Sequence, residues 1–219
     1  MPITLAHEKS FDYELKTVSL QLYIQKLQQK ETESRVDHLY MGKQKHINAG
    51  MRSILVDWLV DVGVHFEVMS ETLHMAINYA DQALSKMEIQ KNQLQLVGTA
   101  CMKIADIFNE KNKEYYRQEN AVEYAYITAD EYTPQNVIEM EKEVLTLLNF
   151  NLCAPTSVHF LKLYARLLKV DRLTELVALY IADLQLLLTN QLEFPPSLVG
   201  SVCLFEAFVA QVKPLPRLD

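Results

Sequence analysis

Hydrophobic side chains recur every three or four positions along most of the chain, and this spacing predicts amphipathic helices. Residues 1–16 lack the pattern, so we expect a loose arm there, followed by a short helix over 20–29 and a polar connector. The next helix begins after Asn48 and carries a long apolar stripe. Further helices are predicted over 70–84, 94–108, 122–127, 134–148, 157–168, 173–188 and 197–212. Because no stretch alternates with the period of a strand, the predicted class is all-α.

Residues with short polar side chains precede several of these helices and predict where each begins. Asn48, Ser70 and Thr156 can each accept a hydrogen bond from the turn that follows. Thr133 is followed by a proline, a combination typical of the first helical turn. Ala154 also precedes a proline, which keeps its backbone out of helical geometry, so 149–156 is predicted to be a linker.

The sequence repeats a pattern at an offset of 102 residues, since LVGTAC at 96–101 recurs as LVGSVC at 198–203. The same offset relates further pairs on two other helices: Trp58 and Phe160, Leu59 and Leu161, Ala76 and Ala178, Ala80 and Ala182, Asp81 and Asp183, and Leu84 and Leu186. Gly98 and Gly200 have no side chain, so each lets a neighbouring helix approach closely. The repeat predicts two helical domains of one design.

The domains predicted from this repeat are an N-terminal arm with a short helix over 1–47, a first helical domain over 48–152 and a partial second domain over 153–219. The first copy continues beyond Cys101 through two more helices, whereas 16 residues follow Cys203. The second copy is therefore expected to have three helices instead of five. We expect the apolar surface left open by this difference to need a partner.

Charge and cysteine content exclude several classes of function. The chain has 21 basic and 28 acidic residues, a net charge of -7, which disfavours binding to nucleic acid. Its three cysteines are widely spaced and fit neither a disulfide framework nor a zinc site, as expected in a reducing intracellular compartment. No apolar run approaches the roughly 20 residues that span a bilayer, so we expect no membrane partner. The N-terminus has no pattern of a secretion signal.

No motif in the sequence supports an enzymatic function. The chain contains no phosphate-binding glycine loop, nucleophile elbow or zinc-protease motif. Its six histidines are scattered, and His65-Phe66-Glu67 lacks the cysteine pair that a zinc deaminase would need. Glu139, Glu141 and Glu143 alternate on one helix and cannot converge on one substrate. We predict no catalytic residue, no metal and no cofactor.

Several segments together resemble the cyclin family, in particular the A- and B-type mitotic cyclins. MRSILVDWL at 51–59 is close to the family's MRAILVDWL, and ETLHMAINYAD, LQLVGTACM, AYITADEYT and VIEMEKEVLTLLNFNLCAPTSVHFL follow in family order. The resemblance covers 20–212 and implies tandem cyclin boxes of five helices, the second box incomplete in this chain. It also implies a regulatory subunit that binds and activates a cyclin-dependent protein kinase in cell-cycle control.

The resemblance implies a groove that docks substrates or inhibitors containing an R-x-L sequence. The matching positions are Met51, Ile54, Leu55, Trp58, Asp61, Lys91, Leu94 and Gln95. Periodicity alone would place the apolar members in the core, while the resemblance implies that they are partly exposed. Asp61 is expected to pair with the peptide arginine. Lys91 stands where the family often has arginine, which keeps the charge but loses bidentate geometry.

The resemblance further implies an ion pair and a kinase interface. Arg52 and Asp81 match an internal pair that links two helices, and its role is expected to be structural. The expected kinase interface comprises Leu20, Tyr23, Ile107, Phe108, Glu141, Leu145, Phe150 and Leu152. Among these, Glu141 matches a glutamate that acts together with a lysine on the kinase's regulatory helix.

The chain departs from the family pattern at this interface. Ile107 occupies the lysine position, and Lys103, one turn earlier on the same helix face, is a candidate substitute as the companion of Glu141. The loop from Phe108 to Tyr126 is longer than usual, and its charged stretch is expected to project beside the interface.

Two other functions stay open on the sequence alone. One is a diverged cyclin-like scaffold that binds docking peptides or kinase without activating the kinase. The other is a cyclin-fold transcription adaptor, which the acidic net charge disfavours because such adaptors need basic surface. Residence in the nucleus and cytoplasm is an expectation from the resemblance. The sequence names neither the kinase nor the cell-cycle stage.

Overall fold

The computed structural model describes residues 4–110 and 120–212. Across these residues the regular structure is α-helical, with three short 3-10 turns and no strand, so the predicted all-α class is confirmed. The helices are α1 (Thr4–Glu33), α2 (Ala49–His65), α3 (Ser70–Lys86), α4 (Leu94–Asn109), α5 (Asn120–Tyr126), α6 (Pro134–Leu147), α7 (Ser157–Leu167), α8 (Arg172–Gln185) and α9 (Pro196–Val212).

Three of the predicted helix starts are confirmed by their capping geometry. Asn48 Oδ1 accepts a hydrogen bond from the backbone N–H of Met51 at 3.1 Å. Thr133 caps α6, with its hydroxyl oxygen 3.2 Å from the backbone nitrogen three residues on. Thr156 is the cap residue of α7, and its own N–H donates to His159 Nδ1 at 3.2 Å. Side chains placed one residue before each apolar stripe thus satisfy backbone donors that the helix leaves free.

The prediction that Ser70 caps α3 is wrong. Met69 is the cap residue, and Ser70 is already the first helical residue. The Ser70 hydroxyl instead donates toward Asp183 Oδ1 on α8, at 3.3 Å. A polar contact between distant helices has therefore replaced the local cap that the sequence suggested.

The N-terminal region is more helical than predicted. Helix α1 begins at Thr4 and runs for 30 residues, so a loose arm over 1–16 is wrong for its residues 4–16, and the short helix over 20–29 is the end of a long one. Residues 4–33 contain neither glycine nor proline, so nothing interrupts the helix. Its periodicity is weak because the helix carries no continuous apolar face.

The segment predicted to be a polar connector also contributes to the core. Val36, Tyr40 and Ile47 are buried, although most residues of this segment are polar. Tyr40 is 1% exposed and lies in a 3-10 turn beside α3. Three apolar anchors among polar residues give no helical period, which explains why the pattern missed them.

Buried hydrophobic residues form two clusters. The larger cluster draws on α2 to α6 and also includes Leu186, from the turn after α8. The smaller cluster is made by α7, α8 and α9. The division of the chain into domains at 152/153, with a shortened second copy, stays a prediction, and residues 213–219 lie outside the described part.

Both glycines of the repeat lie at close helix contacts, as predicted. A Cβ at Gly98 would lie 2.7 Å from Leu55 Cδ1 on α2. A Cβ at Gly200 would overlap the backbone oxygen of Ser157 on α7. The offset of 102 residues therefore relates two equivalent approaches, α4 on α2 and α9 on α7. None of the helices in the described ranges has the length and apolar character needed to cross a membrane.

Candidate functional site

Arg52 and Asp81 form a bidentate ion pair between α2 and α3. Arg52 Nε and Nη2 donate to Asp81 Oδ1 and Oδ2, both at 2.6 Å. The two side chains are 1% and 3% exposed. Tyr40 also donates its hydroxyl proton to Asp81 Oδ1 at 2.6 Å. Although burial opposes its charge, the Asp81 carboxylate raises the pKa of Arg52 above its usual value. Burial, together with the same carboxylate, raises the pKa of Tyr40 well above its ordinary range.

The remaining donor of Arg52 reaches a different part of the chain. Its Nη1 donates to the backbone oxygen of Leu186 at 2.8 Å. Ser53 Oγ donates to the next carbonyl, that of Leu187, also at 2.8 Å. These carbonyls lie just beyond α8, where backbone oxygens need partners and a cation is favourable. Arg52 therefore joins three segments that are far apart in sequence.

The positions assigned to an R-x-L groove fall into three levels of exposure. Ile54, Asp61 and Lys91 are exposed, with Ile54 at 72%. The half-buried positions are Met51, Trp58 and Gln95, and the buried positions are Leu55 and Leu94. The apolar stripe of α2 is therefore neither wholly core nor wholly surface. Such a gradient, with a buried floor and exposed charged edges, is compatible with a shallow peptide groove.

None of the positions assigned to a kinase interface is buried. Tyr23, Phe108 and Phe150 are 53%, 46% and 70% exposed. The other five positions are half-buried: Leu20, Ile107, Glu141, Leu145 and Leu152. Large apolar side chains left this open are a typical feature of surfaces that bind another protein.

A hydrogen bond from a tyrosine side chain holds the linker that carries two of these residues. Tyr79 donates its hydroxyl proton to the carbonyl of Leu152 at 2.6 Å. Asn149 and Phe150 both have positive φ angles, of 51° and 56°, after the end of α6. Positive φ is uncommon for residues other than glycine. Phe150 therefore lies in a left-handed backbone conformation, with its side chain directed to solvent.

Lys103 and Glu141 form an ion pair across α4 and α6. Lys103 Nζ lies 2.6 Å from Glu141 Oε2, with side chains 8% and 18% exposed. Ile107, one turn further along α4, is half-buried. The charged companion of Glu141 is therefore Lys103. The adjoining charged stretch at 111–119, which was expected to project beside this surface, lies outside the described residues.

Several polar contacts that hold the helices together could not be predicted from any pattern in the sequence. Glu31 on α1 accepts from the backbone N–H and the hydroxyl of Ser197, at the start of α9. His74 Nε2 lies 2.9 Å from Asp183 Oδ1. These partners are 166 and 109 positions apart, so no local spacing relates them. Within the described residues, no group of three His, Cys, Asp or Glu side chains is placed to hold a metal ion.

A protein-family profile described as "Cyclin, N-terminal domain" matches residues 23–153. The chain belongs to the cyclin family. The match begins within α1 and ends just after α6, so it contains the Arg52–Asp81 pair and the Lys103–Glu141 pair. It also includes every position of the candidate groove.

A-type cyclins are among the curated relatives that match. The chain is 38% identical to "G2/mitotic-specific cyclin-A" of Drosophila melanogaster, over 86% of this chain and 38% of the relative. It is 40% identical to "Cyclin-A2" of Xenopus laevis, over 80% and 41%. It is 42% identical to "Cyclin-A1" of Homo sapiens, over 81% and 37%. The chain thus spans about two fifths of the length of these relatives.

Solved structures show the same fold. A viral cyclin from herpesvirus saimiri superposes with a TM-score of 0.74 at 19% identity, covering 88% of this chain and 84% of that one. A chain of the yeast RNA polymerase II CTD kinase CTDK-1 complex superposes with a TM-score of 0.61 at 16% identity, covering 87% and 62%. At these identities the likeness establishes the cyclin fold of this chain.

Proposed function

We propose that this cyclin-fold chain is a regulatory subunit that binds and activates a cyclin-dependent protein kinase. One observation carries the proposal: the eight positions assigned to a kinase interface are all exposed or half-buried. Several of them, Tyr23, Phe108 and Phe150, are large apolar side chains that a monomer would normally bury. They belong to α1, α4, α6 and the linker after α6, so a partner would contact several elements at once.

The Lys103–Glu141 pair supports the proposal that this surface binds a kinase. In this pair Lys103 replaces the cation that is missing at Ile107. A helix rises about 1.5 Å per residue, so the replacement moves the charge by about 6 Å along α4. Glu141 is 18% exposed and therefore open to a partner on one side. Lys103 neutralises this carboxylate from the buried side, while the apolar Ile107 extends the hydrophobic part of the surface.

The proposal of kinase binding is tested by calorimetric titration of the purified chain with cell-cycle kinases, in unphosphorylated and phosphorylated forms. Phe150→Ala should weaken kinase binding by about tenfold or more, since exposed aromatic anchors often dominate interfaces. Tyr180→Ala, at a tyrosine on α8 that is 64% exposed, is the matched control and should bind normally. Equal affinities for the Phe150 variant and the wild type would refute the assignment of this surface.

We also propose that the α2 groove docks peptides with an R-x-L sequence. The gradient from buried Leu55 to exposed Asp61 would let a peptide leucine lie against Trp58 while its arginine meets the carboxylate. Trp58→Ala should weaken binding of an R-x-L peptide by about 2 kcal/mol, or about 30-fold. Val64→Ala, on an exposed position of the same helix, is the control. Unchanged affinity in a folded Trp58 variant would exclude this groove.

A second candidate function is a scaffold that binds a kinase or docking peptides without activating the kinase. The observation that favours it is Ile107, because the cation lies one turn away from the position that the family uses. Phosphorylation of histone, measured alongside the titrations, separates the two functions. Binding without activity in the wild type, and a sharp rise in activity in Ile107→Lys, would establish the scaffold and identify what suppresses activation.

A further inference from the structure

Thr133 is the one serine or threonine of the chain that is followed by a proline. The other six prolines follow residues that have no hydroxyl group. A hydroxyl followed by proline is the motif that proline-directed protein kinases phosphorylate. Such kinases read the proline through its missing backbone N–H and its fixed φ angle, and the proline also keeps the preceding residue extended. Because Thr133 and Pro134 also begin α6, their proximity alone does not make an acceptor, and the hydroxyl must be accessible.

The structure leaves the Thr133 hydroxyl at the surface. The residue is exposed and lies before the first helical residue, with φ −79° and ψ 158°, the extended backbone in which kinases bind an acceptor. Its hydroxyl contacts one residue: it donates to Asn136 Oδ1 at 2.8 Å and accepts from the Asn136 N–H at 3.2 Å. Opening these two contacts at the surface frees the oxygen.

Thr128 shows what an inaccessible hydroxyl looks like in the same connection between α5 and α6. Its side chain belongs to a residue that is 3% exposed, and its hydroxyl donates to the carbonyl of Ala125 at 2.6 Å. A kinase could not reach this oxygen without unfolding the connection. Thr133, five positions later, therefore differs from Thr128 both in the residue that follows it and in its exposure.

A phosphate on Thr133 would stand in a tolerant environment. It would lie at the N-terminus of α6, a helix of 14 residues, where a negative charge is favourable and free backbone N–H groups accept it as a partner. The carboxylates that precede it, Asp130 and Glu131, are both exposed, so solvent screens their repulsion. Phosphorylation would thus add about two negative charges without disrupting the start of the helix.

The added charge would lie beside the candidate R-x-L groove. A cleft of about 540 Å³ separates the segment before α6 from the segment before α4. Its lining includes one cation, Lys91 of the candidate groove, and one carboxylate, Glu131. Tyr132 spans the cleft and donates its hydroxyl proton to the carbonyl of Asn92 at 2.5 Å. Since Thr133 directly follows Tyr132, a phosphate there would change this edge from balanced charge to negative charge.

We propose that Thr133 is a phosphorylation site for a proline-directed protein kinase, and that the phosphate makes this edge of the candidate groove selective for basic peptides. The γ-phosphoryl group of magnesium-bound ATP is transferred to Thr133 Oγ1. The new P–O bond forms as the bond to ADP breaks, and the hydroxyl proton is released. The modification site is independent of both proposed functions, whereas its effect on peptides rests on the proposed R-x-L docking.

The site is tested by incubating the full chain with ATP, magnesium and an active mitogen-activated protein kinase, which is proline-directed and needs no cyclin. Mass spectrometry of the digested chain should locate the phosphate at Thr133. Pro134→Ala keeps the acceptor and fits the first helical turn, yet it should slow phosphorylation by about tenfold or more. Thr133→Asn preserves a favoured cap residue and removes the acceptor, so it is the matched control and should take up no phosphate there.

Two results would overturn the site: no phosphate at Thr133, or equal rates of phosphorylation in the wild type and Pro134→Ala. Circular dichroism verifies that both variants are folded. The effect on the groove is measured by fluorescence anisotropy before and after phosphorylation. The probes are an R-x-L peptide with lysines beside the motif and the same peptide with glutamines in their place.

Phosphorylation should tighten binding of the lysine peptide several-fold and leave the glutamine peptide unchanged, because opposite charges favour the correct partner. The gain should disappear at high salt and in Thr133→Asn treated with the same kinase. Equal affinity of the lysine peptide before and after phosphorylation would exclude the effect on the groove. If neither peptide binds either form, the proposed docking fails together with this effect, while the mapped phosphate still decides the modification site.

Discussion

Replacing Arg52 with alanine tests how much the buried ion pair contributes to stability. The substitution removes two hydrogen bonds to Asp81 and one to the carbonyl of Leu186. Asp81 would keep only the hydroxyl of Tyr40 as a described partner, while its side chain is 3% exposed. A buried charge has lost its hydration, and without its counter-ion no ion pair compensates for that loss. Breaking such a pair typically costs about 3–5 kcal/mol.

This cost is large compared with the total stability of a domain, which is about 5–15 kcal/mol. For a chain of this length, each kcal/mol lowers the melting temperature by about 2–4 °C. Arg52→Ala should therefore lower the melting temperature by about 6–20 °C, measured by circular dichroism and supported by urea unfolding. Below the melting temperature, affinity for a kinase should change little, because Arg52 is buried away from the proposed interface.

A matched substitution separates the burial of the charge from the loss of an arginine. Arg172 pairs with Glu175 on the surface of α8, where its side chain is 71% exposed. Arg172→Ala should cost at most about 1 kcal/mol, because exposed pairs contribute little. A double-mutant cycle with Asp81→Asn should then give a coupling energy within the range of about 0.5–3 kcal/mol. A melting temperature within about 2 °C of the wild type for Arg52→Ala would refute the reasoning.

Two further predictions concern the second copy of the repeat. Gly200→Ala should destabilise the fold by about 1–3 kcal/mol, since its Cβ overlaps the backbone of α7, whereas Gly42→Ala, with no atom within 4 Å, should not. Burial lowers the pKa of His159 below 6.5. As the pH falls, His159 therefore binds a proton at a higher pH in the unfolded chain than in the folded chain. Stability should therefore fall as the pH drops below about 6.5, and urea midpoints for His159→Gln should fall less over the same range. An identical pH dependence in that variant would exclude His159 as the cause.

The fold was predictable from the sequence wherever one local rule decided the outcome. Asn48 and Thr133 begin their helices because a short polar side chain meets backbone donors three residues away. Gly98 and Gly200 were identified by an offset, and each lies at a close helix contact: a Cβ would meet Leu55 at Gly98 and the backbone of α7 at Gly200. In these cases the deciding residues lie within one helical turn, or the comparison of the two copies of the repeat identifies them.

The sequence was insufficient to predict a residue's position where contacts with distant residues decide it. Ser70 looks like a cap, yet its hydroxyl is directed to Asp183 on another helix. Tyr40 lies in a polar stretch. It can be buried because Asp81, 41 positions away, accepts a hydrogen bond from its hydroxyl group. The first part of helix α1, over 4–16, has no apolar stripe to reveal it. Periodicity measures one helix at a time and carries no information on such contacts.

Lys103 shows how an apparent loss at the proposed kinase interface can be compensated within the same helix. The sequence shows a missing cation at Ile107 and offers Lys103, one turn earlier, as the candidate companion of Glu141. The structure brings Lys103 to 2.6 Å from that carboxylate, because positions four apart share one face of a helix. Lys103 thereby neutralises the half-buried Glu141 carboxylate, which lowers the energetic cost of keeping a charge there. What changes is the outer surface, where an isoleucine stands in place of a charge, so the proposed kinase partner should make apolar contact at that point.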